Sequence, residues 1–383
     1  MREKKKPLTV LYVDTGIGLA GGQTALVEIL RFVDRTRIAP IVSSPPGSAL
    51  EAVCGRLGIP WLGLPFASVH ISTRPRGRVM GRLRDLASSA YGAAWLARQV
   101  RRCQADVLAA NTFKAALVGA VALMFSKRPL VFHDRTLFGH LPLGWLLGMK
   151  ARRIVAVSRA AAAKYRGMFA GKLAIVPDSV DTDRFRAAPA EPRSVRIVAY
   201  LGRISEEKGI IHLVRCVPRV LKRAPGVRFL IGGTPFTPRG EAYLNLLTAE
   251  IAGLGLADAI EFVGQVDDAR AFLGEIDALV LPSEKEGLGR VMLEAMALGK
   301  PVIAFASGGP AEVISNGEDG LLVPLGDDAG LADAVVSILC DSALAARIGL
   351  AARQTVVRHY SSKMLTARLV EVYSDVCPRH GGE

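Results

Sequence analysis

A chain of 383 residues, half of them hydrophobic, is too apolar to be disordered and too long for one comfortable core, so two domains are expected. The formal charge of +14 is unevenly placed: residues 1–186 carry 29 Lys/Arg against 11 Asp/Glu, the remainder 20 against 24. Cys54, Cys103, Cys216, Cys340 and Cys377 form no CxxC pair and no Cys/His cluster, which argues against a zinc site and a disulfide framework and fits a reducing cytoplasm.

The opening MREKKKPLTVLYVD imitates a secretory leader, but Asp14 interrupts its apolar run after about six residues, short of the roughly 7–15 of an h-region. Leu8–Val13 reads as the first strand. It ends in DTGIGLAGGQTAL, where Gly16, Gly18, Gly21 and Gly22 let backbone amides approach a ligand ahead of a helix over 23–33, with Leu26, Ile29, Leu30 and Val33 on one face. The loop is neither GxGxxG nor a Walker A motif, which weakens dehydrogenase and P-loop readings; a tight turn without ligand is the alternative. Further strands are expected at 40–43, 61–64, 106–110, 130–133, 154–158 and 174–176.

Between them, Arg74, Arg76, Arg78, Arg82 and Arg84, then Arg98, Arg101 and Arg102, alternate with Val79, Met80, Leu83 and Leu86, with Tyr91 and Trp95 following. Such a stretch reads as an amphipathic basic helix on anionic lipid, ahead of a merely solvated face. Nucleic acid is disfavoured by few aromatics and no binding motif. The apolar runs at 115–125 and 137–149 fall short of the ~18 residues of a spanning helix and read as buried helices, leaving a soluble or peripheral protein. His133 closes its strand, where it could bond a sugar hydroxyl or its own backbone neighbour. VPDSVDTDRF (176–185) reads as a tight acidic turn ending the first domain, 1–186. Pro189 and Pro192 mark 187–194 as a linker.

A second alternating series fills 195–361, with strands at 196–201, 228–231, 260–263, Ala278–Leu281, Val302–Phe305 and Leu321–Val323, before a terminal helix from about 362 to 373 that could pack on either domain. Ligands of open parallel sheets sit beyond the carboxyl ends of the strands, and each half would offer that edge to a shared cleft. In YLGRISEEKG (200–209), Arg203 and Lys208 follow a strand, two cations able to neutralise charge on a leaving diphosphate; surface pairs with Glu206 and Glu207 are the bland alternative. In LVLPSEKEGLGRVMLEAMALGKPVIAF (279–305), a strand leads into Gly287 and Gly289 and then a helix stopped by Gly299, so the helix start forms an anion site. Val291, Ala295 and Leu298 form its expected packing stripe. Glu286 lies in the loop and Glu294 on the stripe's edge; carboxylates there favour a ligand with paired hydroxyls over a helix-dipole and solvated pair.

With these motifs in hand, the chain resembles the large retaining glycosyltransferase family called GT4, glycosyl transferases group 1. The resemblance rests on EGLGRVMLEAMALGKPV, GRISEEKG, VAVSRA, VPDSVDTDRF, FVGQVDD, LPS, GGPAEVI and NGEDGLLVP, and more loosely on ANTFKA. It implies the α/β GT-B fold, two Rossmann-like β/α/β domains facing each other across a cleft. Arg203 and Lys208 would then hold the donor diphosphate, Glu286 the transferred sugar and Glu294 the ribose. Backbone groups of Gly287, Leu288, Gly289, Arg290 and Val291 would cradle sugar and phosphate, and Val263, Gly264 and Gln265 would meet the nucleobase. Gly21 and Gly22 would approach the diphosphate from the opposite wall, and His133 would sit beside the sugar. The resemblance further implies no cofactor and no metal beyond the nucleotide-diphosphate sugar itself, retention of configuration, and transfer to a glycan or lipid-linked acceptor in polysaccharide or glycolipid synthesis, from the cytoplasm and peripheral to the membrane. Gly287 stands where many relatives have Pro, Leu288 where Phe is common, and the first loop lacks an acidic residue after its glycines. The other classes weighed are a non-catalytic scaffold of the same fold and a sugar-nucleotide epimerase.

Overall fold

The computed structural model describes residues 6–65, 79–124, 126–137, 143–165, 167, 169–186 and 195–377, with 79–89, 143, 145 and 146 described by backbone alone. The expected linker at 187–194 and the cluster Arg74, Arg76 and Arg78 lie outside the described residues. The chain divides into two units, Met1–Pro177 with Ser362–Glu383, and Asp178–Ser361.

In the first unit, β1 (Leu8–Val13), β2 (Ile38–Ser44), β3 (Trp61–Gly63), β4 (Val107–Ala110), β5 (Leu130–Asp134), β6 (Arg153–Ala156) and β7 (Leu173–Ile175) form one parallel sheet in the order β3-β2-β1-β4-β5-β6-β7. Helices α1 (Gly21–Phe32), α2 (Ala49–Leu57), α3 (Val79–Arg102), α4 (Phe113–Ala122), α5 (Leu143–Lys150) and α6 (Arg159–Ala162) connect them. Successive side chains of a strand point to opposite faces, so β1 serves two cores at once. Leu11 and Val13 pack with Ala93, Leu96 and Val100 of α3 and Ala115, Ala116 and Val118 of α4. Val10 and Tyr12 pack with Leu26, Ile29 and Leu30 of α1 and Leu50 and Cys54 of α2. Burial on both faces is why these strands read as unbroken apolar runs.

The second unit repeats the plan with β8 (Ile197–Leu201), β9 (Arg228–Gly232), β10 (Ile260–Gly264), β11 (Ala278–Leu281), β12 (Val302–Phe305) and β13 (Leu321–Val323), all parallel, in the order β10-β9-β8-β11-β12-β13. Its helices are α7 (Ile210–Arg223), α8 (Pro238–Gly253), α9 (Ala269–Gly274), α10 (Arg290–Ala297), α11 (Pro310–Val313), α12 (Asp328–Cys340) and α13 (Ser342–His359). In each sheet the strand order reverses once, between β1 and β4 and between β8 and β11. Ligands of doubly wound sheets bind at those two carboxyl edges.

One placement differs from expectation, and one alternative left open is decided. Residues 178–186 join the second unit rather than closing the first: Val180 N–H donates to the Tyr360 carbonyl, Arg290 Nη1 to the Ser179 carbonyl and Arg353 Nη1 to the Phe185 carbonyl. The last helix, α14 (Ser362–Val376), returns to the first unit. There Leu369, Val370 and Tyr373 enter the core with Val10 and Tyr12, Ser362 Oγ bonds Glu28 Oε2 at 2.8 Å, and Arg37 pairs with Glu371 at 2.6 Å. Among the described residues, no single helix is long and apolar enough to cross a membrane.

Candidate functional site

Because β8 and β11 are neighbours, the loops that follow them are forced side by side. The Glu284 N–H donates to the Glu207 carbonyl at 3.1 Å. Lys208 Nζ lies 2.6 Å from Glu286 Oε2, both side chains about seven-eighths buried. The close fit requires Gly209: its φ is +62°, and a Cβ there would lie 2.0 Å from the Pro282 carbonyl oxygen. Arg203 sits on the same rim, 3.6 Å from Glu207 and half exposed, so it is free to swing toward an anion. Beneath it Tyr200 is fully buried and its hydroxyl donates to the Arg203 carbonyl at 2.8 Å, pinning the turn. Burial, and then the charge of Glu286, push that phenol well above its usual pKa, so it remains a donor.

The loop after β12 closes the third side. Gly309 N–H donates to the Glu286 carbonyl at 2.9 Å, and Ser307 Oγ to the Glu284 carbonyl at 2.7 Å. A Cβ on Gly309 would stand 2.3 Å from Leu288 Cα, so glycine is what lets the Gly287–Leu288 backbone settle there. α10 then starts from Gly289, in the left-handed region at φ +91°, with no side chain capping its first amides. Unmet N–H groups at a helix start favour an anion. Ser283 Oγ, with its residue 1% exposed, has no hydrogen-bond partner among the described residues.

The expected stripe on α10 is corrected in part: Ala295 and Leu298 are buried, Val291 is only half buried, and Met292, Leu293, Met296 and Ala297 are wholly buried as well. The helix lies between the sheet and α13, so it is enclosed nearly all round. Glu294, 8% exposed, accepts from Arg290 Nη2 at 2.8 Å, and Arg290 Nη1 holds the Ser179 carbonyl at 2.9 Å. Its buried charge is therefore paired with a guanidinium, a partner sequence reasoning did not identify. Val263 and Gly264 end β10, two strands beyond β8, and Gln265 follows them. They join the rim through the Gly233 N–H on the Gly264 carbonyl at 2.7 Å and the Gly202 N–H on the Gly232 carbonyl at 3.0 Å. Arg203, Lys208, Glu286, the 287–291 backbone and Glu294 are thus brought together, with 263–265 farther along the same edge.

The first unit has its own polar cluster where β1 and β4 end. Asp14, fully buried, accepts from the Gly16 amide at 2.6 Å, Gln23 Nε2 at 2.8 Å and Asn111 Nδ2 at 2.5 Å. Asn111 also bonds the Gly22 carbonyl, and Arg135 Nη1 donates to Asn111 Oδ1 at 2.8 Å. This network, of which only the glycines were singled out as binding residues, fixes the start of α1. No side chain caps that start, and a Cβ on Gly21 would meet nothing within 4 Å. His133 does not join it. It is 5% exposed and its Nε2 lies 2.8 Å from the Tyr373 hydroxyl, neither of the partners its strand-end position suggested. Burial, reinforced by the nearby Arg135 charge, lowers its pKa to about 3, so the ring is neutral.

The glycosyl transferases group 1 family model matches residues 181–355, and the Glycosyltransferase Family 4 model matches residues 22–184. Over 181 residues the chain is 35% identical to the lipopolysaccharide core biosynthesis glycosyltransferase LpsE of Rhizobium meliloti, covering 47% of this chain and 50% of that protein. Over 208 residues it is 36% identical to a phosphatidyl-myo-inositol mannosyltransferase of Mycobacterium leprae, covering 52% and 53%. The chain thus spans about half the length of these curated relatives. The crystal structure of Anabaena Alr3699/HepE in complex with UDP and glucose matches 96% of this chain and 99% of that one, with a TM-score of 0.81 at 22% identity. That likeness shows a shared fold, the two-unit GT-B architecture.

Proposed function

Starting from a chain that belongs to the glycosyl transferases group 1 family, we propose that it moves a sugar from a nucleotide-diphosphate sugar to a glycan or lipid-linked acceptor. The observation that carries this reading is the Lys208–Glu286 pair at the carboxyl edge between β8 and β11, beside Arg203 and the uncapped start of α10. Positive charge from two side chains and one helix end converges there.

The donor lies along that edge, its base toward 263–265, its diphosphate over Arg203, Lys208 and the 287–291 amides, its sugar hydroxyls on Glu286 and its ribose on Glu294. As the bond from the anomeric carbon to phosphate oxygen breaks, negative charge grows on the leaving diphosphate and the cations stabilise it. The acceptor oxygen bonds the anomeric carbon on the same face, and its proton passes to the departing phosphate, giving retention. The uncapped start of α1 at Gly21 and Gly22 is a second place suited to an anion, and the basic first unit takes the acceptor. The names of the LpsE and phosphatidylinositol relatives support a lipid-linked acceptor in cell-surface glycan synthesis, with the chain working from the cytoplasm at a membrane face.

A thermal-shift screen with UDP-, GDP- and ADP-sugars tests this reading. The matching donor at about 100 times its Kd stabilises the fold by about 2.7 kcal/mol and raises the melting point. Acceptor-dependent product then separates a transferase from an epimerase, and any turnover separates it from a scaffold. No shift with any sugar nucleotide, together with no product, overturns the proposal.

A further inference from the structure

The first unit holds a second basic concavity, at the opposite edge of its sheet from the Asp14–Asn111 network. Its volume is about 640 Å³, and its walls are the starts of β5, β6 and β7 with the ends of α4, α5 and α14. Six cations line it, Lys127, Arg128, Lys150, Arg152, Arg153 and Lys172, against one carboxylate, Asp375. Strands of four or five residues set the two edges about 15 Å apart, so this is not the place where ligands of the sheet's carboxyl edge bind.

Helix carboxyl ends attract cations, and that accounts for part of the cluster. Lys172 Nζ caps α5 through the Gly148 and Met149 carbonyls at 2.9 and 2.8 Å. Arg128 pairs with Asp106 at 2.9 Å and Arg153 bonds the Gly171 carbonyl at 2.9 Å. Lys127, Lys150 and Arg152 have no such role: none of these three side chains has a hydrogen-bond or ion-pair partner among the described residues. The charge is felt locally, for Lys172 is held below its usual pKa by burial and then by the positive field of Arg152. Like charges gathered around a concavity repel one another and are balanced when a multiply charged anion enters.

We propose that this concavity is a binding site for a phosphate-bearing anion, recognised by Lys127, Lys150 and Arg152. Phosphate is the chemistry that satisfies several cations converging on one space, through charge-assisted hydrogen bonds. The anion comes either from a soluble oligophosphate or from a lipid headgroup. Met124 and Met149, 47% and 42% exposed on the rim, supply apolar contact for the second source.

Lysine acetylation of the full chain, read by mass spectrometry, locates the ligand without relying on activity. Tripolyphosphate and vesicles of phosphatidic acid in phosphatidylcholine are the two probes, with plain phosphatidylcholine as control. The proposal expects labelling at Lys127 and Lys150 to slow while that of exposed Lys222, in the second unit, is unchanged. Protection by tripolyphosphate identifies a soluble source; protection by phosphatidic acid vesicles alone identifies a headgroup. In a Lys127→Glu/Arg152→Glu variant, protection at Lys150 requires at least about tenfold more probe, as expected for losing charge-assisted bonds. No protection by either probe in the wild type overturns the proposal, as does protection of Lys150 at the same probe concentration in the variant.

Discussion

Glu286 receives Lys208 on its side chain and Gly309 on its carbonyl, so one residue joins the loops after β8, β11 and β12. Glu286→Gln keeps the shape of that junction and removes its charge. Turnover of the donor is expected to fall at least ~10²-fold with the melting point little changed, since removing a group that stabilises developing charge has effects of that order; wild-type turnover would contradict it. His133 gives a different signal. Its pKa is about 3 in the fold, against about 6.5 in an unfolded chain, so between those values the unfolded chain binds the proton that the folded chain does not. Stability therefore falls as pH drops below about 6.5, by up to about 1.4 kcal/mol per unit. Urea unfolding at pH 7 and pH 5 should show a loss about 2 kcal/mol smaller in His133→Gln than in the wild type; equal losses would show that the ring is solvated.

Glycines set the loops, and at Gly309 the reason is distance alone. Its backbone is right-handed helical, φ −60° and ψ −43°, a conformation any residue adopts. A methyl group there would nonetheless stand 2.3 Å from Leu288 Cα and 2.7 Å from its carbonyl oxygen. Gly309→Ala is expected to displace the Gly287–Leu288 backbone and cut turnover by about 10²-fold, as misplacements of about 1 Å do. Unchanged kinetics in a folded Gly309→Ala protein would show that this loop does not position the donor. The strands were legible in the sequence because buried parallel strands are short continuous runs such as LTVLYV and ALVL, bounded by Gly, Pro or Asp. Their neighbours were not. That Lys208 meets Glu286 follows from β8 lying beside β11, a consequence of strand order that no local spacing encodes. The stripe assigned to α10 was incomplete for a related reason: periodicity shows one apolar face, whereas α13 covers the helix from another side.

At the scale of the whole molecule, α14 returns to the unit that holds β1. α14 leaves the second unit at Ser361 and closes the first, with Tyr373 wholly buried against Tyr12 at a ring separation of 5.9 Å. Its sequence shows a helix but not which core receives it, so this return, and the His133–Tyr373 bond it creates, could be seen only in three dimensions. Tyr373→Ala is expected to destabilise the protein by about 3–5 kcal/mol, as for other large aromatic truncations; an unmoved unfolding midpoint would show α14 to be an accessory. The charges of the proposed donor site were legible as motifs, and their convergence is the claim on which the functional account rests. Calorimetric titration of UDP and GDP into the wild type and Lys208→Ala measures it directly. The account predicts one nucleoside diphosphate per chain and a Kd at least about tenfold higher in the variant, a difference of about 1.4 kcal/mol; equal affinities in the two proteins would contradict it.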